Sequence, residues 1–330
     1  MTRIAKKAVS SILLAGVASV AWASGAANAD TSWNDGQMRF IVGSSAGGGF
    51  DTTARQLEAY LEEELDANLV VENHAAGGGA VGGQLTVSDD SCRTILMWGI
   101  PHLIFSYMNQ ETGYTYDDFA PLAQVSVDAG VIRVRNDAPW ENLQELIDHA
   151  RENPGEVIVS AGSFQDAYYL GTKQLEEATG VEFNIVPFGG GSEARNALAG
   201  GHADMNYAAV YNSLSIAEHT RVLGVAANTN QWPGKTNDAP TINEALGTDL
   251  PPQGPSYGIF TSAACRDNHP DRYEMLTAAV EAALHNEEYR AQLEELDELD
   301  RLSFLPADEY DAQIRDAREG LEAFARDAQD

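Results

Sequence analysis

Strand-like and helix-like segments alternate along most of the chain, and this alternation limits the possible folds more than any other feature of the sequence. Short apolar runs such as residues 38–42 and 69–72 have the composition of strands, and longer runs such as residues 51–65 and 168–179 have the apolar spacing of amphipathic helices. This alternation predicts an α/β protein with mostly parallel strands. Residues 228–256 interrupt it with several prolines and predict an irregular connection.

One unit of this pattern occurs twice. A strand, a glycine-rich loop and a helix follow one another at residues 38–65 and again at residues 183–199. Two similar halves predict two α/β lobes that face a cleft. Residues 120–135, between the two units, have the composition of one long extended segment.

The two glycine-rich loops are the candidate ligand site. Residues 43–51 and 187–195 each place glycines between a strand and the start of a helix. Glycines allow backbone N–H groups to turn toward a ligand, and a helix N-terminus adds positive potential. We therefore predict two anion-binding loops, one from each lobe, that hold the two ends of one anion. The alternative for either loop is a tight turn without a ligand.

Two motifs suggest other functions. Residues 43–47 match G-x-S-x-G, the pattern that places a nucleophilic serine between a strand and a helix, which would make Ser45 the nucleophile of an esterase. This serine would follow the first strand, and no HGGG-type oxyanion motif precedes it. Residues 77–82 match G-x-G-x-x-G, but residues 95–101 lack the acidic side chain that dinucleotide binding requires, so NAD is not expected.

Charge excludes one class of partner. The 330 residues include 50 acidic and 20 basic side chains, a net charge of -30. Such a chain repels phosphate backbones and anionic lipid, so nucleic-acid binding is not expected. The acidic bias extends along the whole chain and fits an exported protein of a halophilic organism, because salt screens the self-repulsion.

The N-terminus predicts export. Basic residues at Arg3, Lys6 and Lys7 precede a short apolar run over residues 8–23, and Ala27-Asn28-Ala29 has the form of a cleavage site. We expect a signal peptide over residues 1–29, cleaved after Ala29. The chain has two cysteines, Cys92 and Cys265, which in an oxidising compartment favour a disulfide over a metal site. No metal or other cofactor is expected.

Several motifs, in order along the chain, resemble one family. These are A-G-G-G-F-D-T-T-A-R over residues 46–55, V-V-E-N-H-A-A-G-G-G over residues 70–79, the P-W-E-N-L-Q-E-L segment at residues 139–146, and the V-P-F-G-G-G segment running to Asp204. Together they resemble the substrate-binding proteins of tripartite tricarboxylate transporters, the TctC or Bug family. The resemblance covers essentially all of the chain after Ala29.

The resemblance implies a type II-like periplasmic binding protein, with two α/β lobes around a ligand cleft. Lobe 1 would comprise residues 30–132 and 253–330, and lobe 2 residues 133–252. Both cysteines would then fall in lobe 1, which favours a disulfide between them. The ligand would be a small organic carboxylate, held largely by backbone amides. The predicted ligand-binding residues are Ser45, Ala46, Gly47, Gly48, Gly49, Phe50, Asp51, Ser163, Asp166, Tyr169, Phe188, Gly189, Gly190, Gly191, Ser192 and Asp204.

One position departs from the family pattern. Asp166 stands where the family often has a serine, and an acid there repels a second ligand carboxylate unless it is protonated or paired. Asp166 would instead receive an amino or hydroxyl group, or it caps the helix over residues 168–179. Both roles remain open.

The function that the resemblance implies is that of a periplasmic, monomeric, non-enzymatic receptor. It would deliver its ligand to the membrane permease subunits of a tripartite transporter. The alternatives are a ligand-sensing subunit for a membrane histidine kinase and the esterase with Ser45 as nucleophile.

Overall fold

A computed structural model of the chain describes residues 31–162 and 167–327. The predicted signal peptide and two predicted ligand-binding residues, Ser163 and Asp166, lie outside the described residues.

Eleven strands and twelve α-helices form the described part of the chain. The strands are β1 (Gln37–Val42), β2 (Asn68–Asn73), β3 (Thr94–Ile100), β4 (Phe119–Val127), β5 (Gly130–Arg135), β6 (Ile158–Ala161), β7 (Asn184–Pro187), β8 (Met205–Ala209), β9 (Thr220–Ala226), β10 (Ser256–Ser262) and β11 (Leu302–Pro306). The helices are α1 (Gly49–Leu65), α2 (Ala80–Val87), α3 (His102–Met108), α4 (Leu143–Glu152), α5 (Ala167–Thr179), α6 (Gly191–Ala199), α7 (Val210–Ser213), α8 (Ile242–Leu246), α9 (Ala263–Asn268), α10 (Pro270–His285), α11 (Glu287–Glu295) and α12 (Ala307–Asp327).

The strands form two sheets. The first sheet has the order β11-β4-β10-β3-β1-β2, and the second has the order β7-β6-β8-β5-β9. Strands β1, β2 and β3 pair in parallel, as do β6, β7 and β8. The remaining pairs, which involve β4, β5, β9, β10 and β11, are antiparallel. The expectation of mostly parallel strands is therefore wrong, because only some neighbouring strands are joined by the helical crossovers that parallel pairing requires.

The extended segment predicted over residues 120–135 is two strands in different sheets. Strand β4 ends at Val127 in the first sheet, and β5 begins at Gly130 in the second. A second crossing segment lies against this one: Asp128 N donates to Pro255 O over 3.3 Å, and Gly130 N donates to Gln253 O over 2.7 Å. These two segments carry the chain between the sheets.

Each sheet has its own apolar core. Strand β3, in the first sheet, is buried at all seven positions, which explains why its sequence is continuously apolar rather than alternating. Trp98 of β3 is fully buried and packs beneath the loop that follows β1. In the second sheet, Leu143 and Ile147 of α4 pack with Ile132 of β5.

Cys92 and Cys265 are joined by a disulfide in the structure. Their Cα atoms lie 5.0 Å apart, and both side chains are completely buried. The bond ties the turn before β3 to helix α9. Within the described ranges, no helix combines the length and apolar composition needed to cross a membrane.

Candidate functional site: a cleft between two glycine-rich loops

A cavity of about 170 Å³ lies between the two sheets. Two loops contribute to its walls. The first loop, residues 43–48, joins β1 to α1 and contributes residues 43–45 and 48, and the second loop, residues 188–190, joins β7 to α6 and contributes residues 189 and 190. Eight of the predicted residues line this cleft: Ser45, Gly48, Gly49, Phe50, Gly189, Gly190, Gly191 and Ser192. The structure thus brings together the two loops that the sequence singled out.

The two loops lie in close proximity. A Cβ atom built at Gly190 would stand 3.3 Å from Ser45 Oγ, so the second loop faces the first at van der Waals distance. A side chain at Gly190 would require the Ser45 hydroxyl to shift. A compact ligand in the cleft would therefore contact both loops at once.

The N-terminus of α1 opens on the cleft. Gly48 occupies the N-cap position and has no side chain to accept hydrogen bonds from the first helical turn. The first N–H groups of a helix have no partner within the helix, and they carry the positive end of its dipole. Gly48, Gly49 and Phe50 all line the cavity, so this end of α1 is suited to an anionic group.

Asp51 holds the first loop in place through hydrogen bonds to its carboxylate. Its carboxylate accepts hydrogen bonds from Gly47 N over 2.9 Å, from Arg55 Nε over 3.0 Å and from Asn73 Nδ2 over 2.9 Å. These partners fix the loop and balance the acidic charge. Neither Asp51 nor Ala46 nor Gly47 lines the cleft.

The second loop has a similar brace. Gly189 N donates to Glu193 Oε2 over 2.9 Å, and Phe188 N donates to Ala161 O over 2.9 Å. The Phe188 side chain does not line the cleft. Gly190 occupies the N-cap position of α6 and, like Gly48, offers no side-chain acceptor.

Other predicted residues lie elsewhere. The Asp204 carboxylate accepts a hydrogen bond from Ile158 N over 2.9 Å at the start of β6, whereas the cleft lies at the opposite end of this strand. Tyr169 does not line the cleft, but its neighbour Tyr168 does. Asp204 therefore supports the second sheet rather than the cavity wall.

Arg195 is the most informative lining residue that the sequence prediction omitted. It belongs to α6, is 8% exposed, and has a buried Nε atom without a hydrogen-bond partner. Burial lowers the pKa of its guanidinium. The signal was present in the sequence: Arg195 lies four residues after Gly191, and residues four apart share one face of a helix.

Neutral polar side chains complete the cleft. Tyr257 of β10 and Asn212 of α7 lie beside Gly49, and Asn212 Nδ2 donates to the Tyr257 hydroxyl over 3.5 Å. The His102 ring packs edge-on against Phe50 at 5.2 Å, and burial lowers the pKa of His102 to about 4. Since His102 is then neutral at pH 7, Arg195 is the only charged side chain among the described residues that line the cleft.

Neither the G-x-S-x-G motif at residues 43–47 nor the G-x-G-x-x-G motif at residues 77–82 has the surroundings that its chemistry requires. Ser45 lines the cleft, but among the described residues no histidine is hydrogen-bonded to its hydroxyl, as a serine nucleophile requires. Gly77, Gly78 and Gly79 all have positive φ angles, and Gly79 packs tightly on Trp98. No group of three or more metal-ligating side chains occurs in the described ranges.

Comparison with known proteins identifies the family. The sequence profile of the family described as "Tripartite tricarboxylate transporter family receptor", TctC, matches residues 53–303. The chain belongs to the TctC family. A UPF0065 protein of Pseudomonas sp. (strain P51) is 28% identical to it over 214 residues, which make up 64% of this chain and 63% of that relative. The match thus spans less than two thirds of the relative's length.

Solved structures share the TctC fold. MatC from Rhodopseudomonas palustris, determined with bound malate, superposes with a TM-score of 0.75 at 20% identity and covers 88% of this chain and 99% of its own. Another R. palustris protein, determined with adipate, has a TM-score of 0.74 at 20% identity and covers 89% and 98%. These likenesses establish a periplasmic-binding-protein fold with two lobes.

Proposed function

We propose that this TctC-family protein is a periplasmic receptor that captures a small organic carboxylate for a tripartite tricarboxylate-type transporter. The observation that carries the proposal is the cleft itself. Two glycine-rich loops, each at the start of a helix, face one another across a cavity that also contains Arg195. Helix N-termini, backbone N–H groups and a guanidinium are all suited to a carboxylate.

Binding requires no chemistry from the protein. One ligand carboxylate would accept hydrogen bonds from the amides at the start of α1, and the opposite end would contact the second loop. Residues 127–130 and 253–256 would act as the hinge, because they pass between the sheets side by side and their backbones are hydrogen-bonded. Closure of the lobes over the ligand would then present one defined surface to the permease subunits.

The lobes are assigned as residues 30–132 with 253–330 and residues 133–252, and the protein is taken to be an exported monomer with residues 1–29 removed. The malate and adipate in the R. palustris structures favour dicarboxylates as the first candidates. Ser163, Asp166 and Tyr169 remain proposed ligand contacts, and the role of Asp166 decides whether a second carboxylate is accepted.

A thermal-shift screen of the purified protein tests the proposal. The panel should contain dicarboxylates, tricarboxylates, aromatic acids and amino acids, in high salt because of the net charge of -30. A ligand that binds only the folded state raises the melting temperature, by an amount that grows with its concentration. We expect a shift with one class of carboxylate, confirmed by calorimetry. A folded sample that responds to none of these acids, or that hydrolyses an ester in a Ser45-dependent manner, would contradict the proposal.

Gly48→Asp provides the matching variant. A carboxylate at the N-cap of α1 would lie at the predicted anion site and repel a ligand carboxylate, so we expect binding to weaken by about 100-fold or more. Gly320→Asp is the control, because Gly320 is exposed on α12 and has open space around it. Both variants carry the same added charge. Retained binding in Gly48→Asp would show that the first loop does not hold the anion.

A further inference from the structure

The environment of Arg195 differs from that of the other buried arginines. Arg133 donates hydrogen bonds to the hydroxyls of Ser213 and Thr220. Arg301 pairs with Glu298 over 3.2 Å and lies over the rings of two tyrosines. Among the residues that the structure describes, none forms a hydrogen bond or ion pair with Arg195. Buried arginines are almost always paired, so this one requires an explanation.

The position of Arg195 on its helix raises the free-energy cost of leaving its guanidinium without a partner. A Cβ atom at Gly191 would stand 3.3 Å from Arg195 Nη1, so the guanidinium extends toward the first turn of its own helix. A cation is unfavourable at a helix N-terminus, because the helix dipole is positive there. Two sources of positive potential thus meet at the cleft, and no described acidic side chain lines it.

An anionic ligand would relieve both costs. We propose that Arg195 is the specificity-determining residue of the cleft and that its guanidinium pairs with one carboxylate of the bound solute. This inference rests on the proposed function and adds the residue that selects the charge. The planar guanidinium matches a carboxylate through two parallel hydrogen bonds, which a lysine ammonium does not reproduce.

The remaining lining residues limit the rest of the ligand. Tyr257, Asn212 and Asn206 provide neutral hydroxyl and amide groups, and His102 is uncharged at pH 7. A single side-chain cation in the described wall therefore balances one carboxylate. Any second carboxylate depends on the backbone amides at the start of α1. The cleft accordingly selects small solutes with one carboxylate at Arg195 and a hydroxyl, amide or second acid at the other end.

A thermodynamic cycle tests this role. The probes are succinate, malate and adipate together with the uncharged diamide of each, and the variants are Arg195→Met and Arg195→Lys. We expect Arg195→Met to weaken binding of the tightest diacid by about 100-fold or more, because an ionised group loses its buried partner. The wild type should distinguish the diacid from the diamide, which has no carboxylate to pair with Arg195, and Arg195→Met should distinguish them much less. Arg195→Lys should fall between the two.

The stability of the ligand-free protein provides a second readout. Arg195→Met removes an unpaired buried charge but keeps the length of the side chain, so its melting temperature without ligand should equal or exceed that of the wild type. Arg290→Met is the control for lost charge, because Arg290 is exposed on α11. A purely structural arginine would give the opposite result, a lower melting temperature.

Each outcome has one interpretation. Arg195→Met that binds the diacid within about threefold of the wild type would overturn the role of Arg195 and leave the proposed function intact. Equal discrimination between diacid and diamide in the wild type and in Arg195→Met would do the same. A wild type that binds none of these acids or any other carboxylate would overturn the proposed function and this inference with it.

Discussion

Gly49 and Tyr257 lie so close together that a Cβ atom built at Gly49 would overlap the tyrosine hydroxyl. The same atom would stand 2.6 Å from Asn212 Nδ2. Gly49 begins α1, Tyr257 belongs to β10 of the first sheet, and Asn212 lies on α7, the short helix that follows β8 of the second sheet. One glycine therefore allows the start of a helix to approach polar side chains from both sides of the cleft, in the cleft wall.

Gly49→Ala should weaken carboxylate binding by roughly 10-fold, because an added methyl group displaces Tyr257 and Asn212 from their positions in the cleft wall. Calorimetric titration with the carboxylate found in the screen measures the effect. Tyr257→Phe in the same chain removes the overlapping oxygen and should restore part of the affinity. The reference is Gly320→Ala, which has open space around it. Affinity within threefold of the wild type in Gly49→Ala would refute the steric argument.

The disulfide should contribute much of the stability of the first sheet's lobe. Cys92 and Cys265 are 173 positions apart, and closing such a long loop restricts the unfolded chain strongly. We expect Cys92→Ala/Cys265→Ala to lose about 2–5 kcal/mol, or roughly 5–15 °C in melting temperature. The melting temperature of the reduced wild type should be close to that of the double variant. Adding reductant should leave the melting temperature of the double variant unchanged. Equal melting temperatures of variant and oxidised wild type would contradict this expectation.

The sequence predicted the two loops because their glycines carry a local signal. A strand, a run of glycines and a helix with a capping residue can be recognised within about ten positions. Gly48 and Gly190, which this local signal identified, both line the cleft. Asp51, which the sequence analysis assigned to the ligand site, instead accepts hydrogen bonds from Gly47, Arg55 and Asn73. The contact with Arg55 spans one turn of α1, but the contacts with Gly47 and Asn73 depend on how the loop folds back.

Features made by distant segments were beyond prediction. The break between β4 and β5 at Asp128 and Ala129 has no proline, and it is set by the second crossing segment at Gly254, whose missing side chain lets the two backbones touch. The spacing placed Arg195 on the same helix face as Gly191, but its burial among residues distant in sequence, with Tyr168 and Tyr257 close enough to act on its charge, could not be predicted. A helix face can be predicted from spacing, but its partner across a cleft depends on tertiary packing.

Asp166 can be assigned by a substitution that separates its two predicted roles. Asparagine caps a helix about as well as aspartate but carries no charge. If Asp166 repels a second carboxylate, Asp166→Asn should bind dicarboxylates about 10-fold more tightly, with an unchanged melting temperature. If it is only the cap of α5, Asp166→Asn should leave affinity unchanged and Asp166→Ala should lose about 1 kcal/mol of stability. Titration of both variants with the same diacid decides between the roles.

Asp128 lies at the crossing between the two sheets. Its carboxylate is completely buried, and burial raises the pKa of Asp128 to about 6, although Arg301, 3.9 Å away, opposes this shift. A raised pKa means that the folded state binds this proton more tightly than the unfolded state. The contribution of Asp128 is therefore most favourable below about pH 4 and falls by about 3 kcal/mol as the pH rises to about 6.

His102 acts in the opposite sense over nearly the same range, because burial lowers the pKa of His102 to about 4 and stability is lost as the pH falls from about 6.5. The pH dependence of the wild-type free energy of unfolding therefore contains contributions from both Asp128 and His102. The difference in this free energy between the wild type and Asp128→Asn isolates the contribution of Asp128. Asp128→Asn should gain stability relative to the wild type as the pH rises from 4 to 7, since Arg301 keeps Glu298 as a partner. Urea unfolding at each pH measures the difference. A difference that stays constant between pH 4 and 7 would mean that Asp128 has an ordinary pKa in the folded protein.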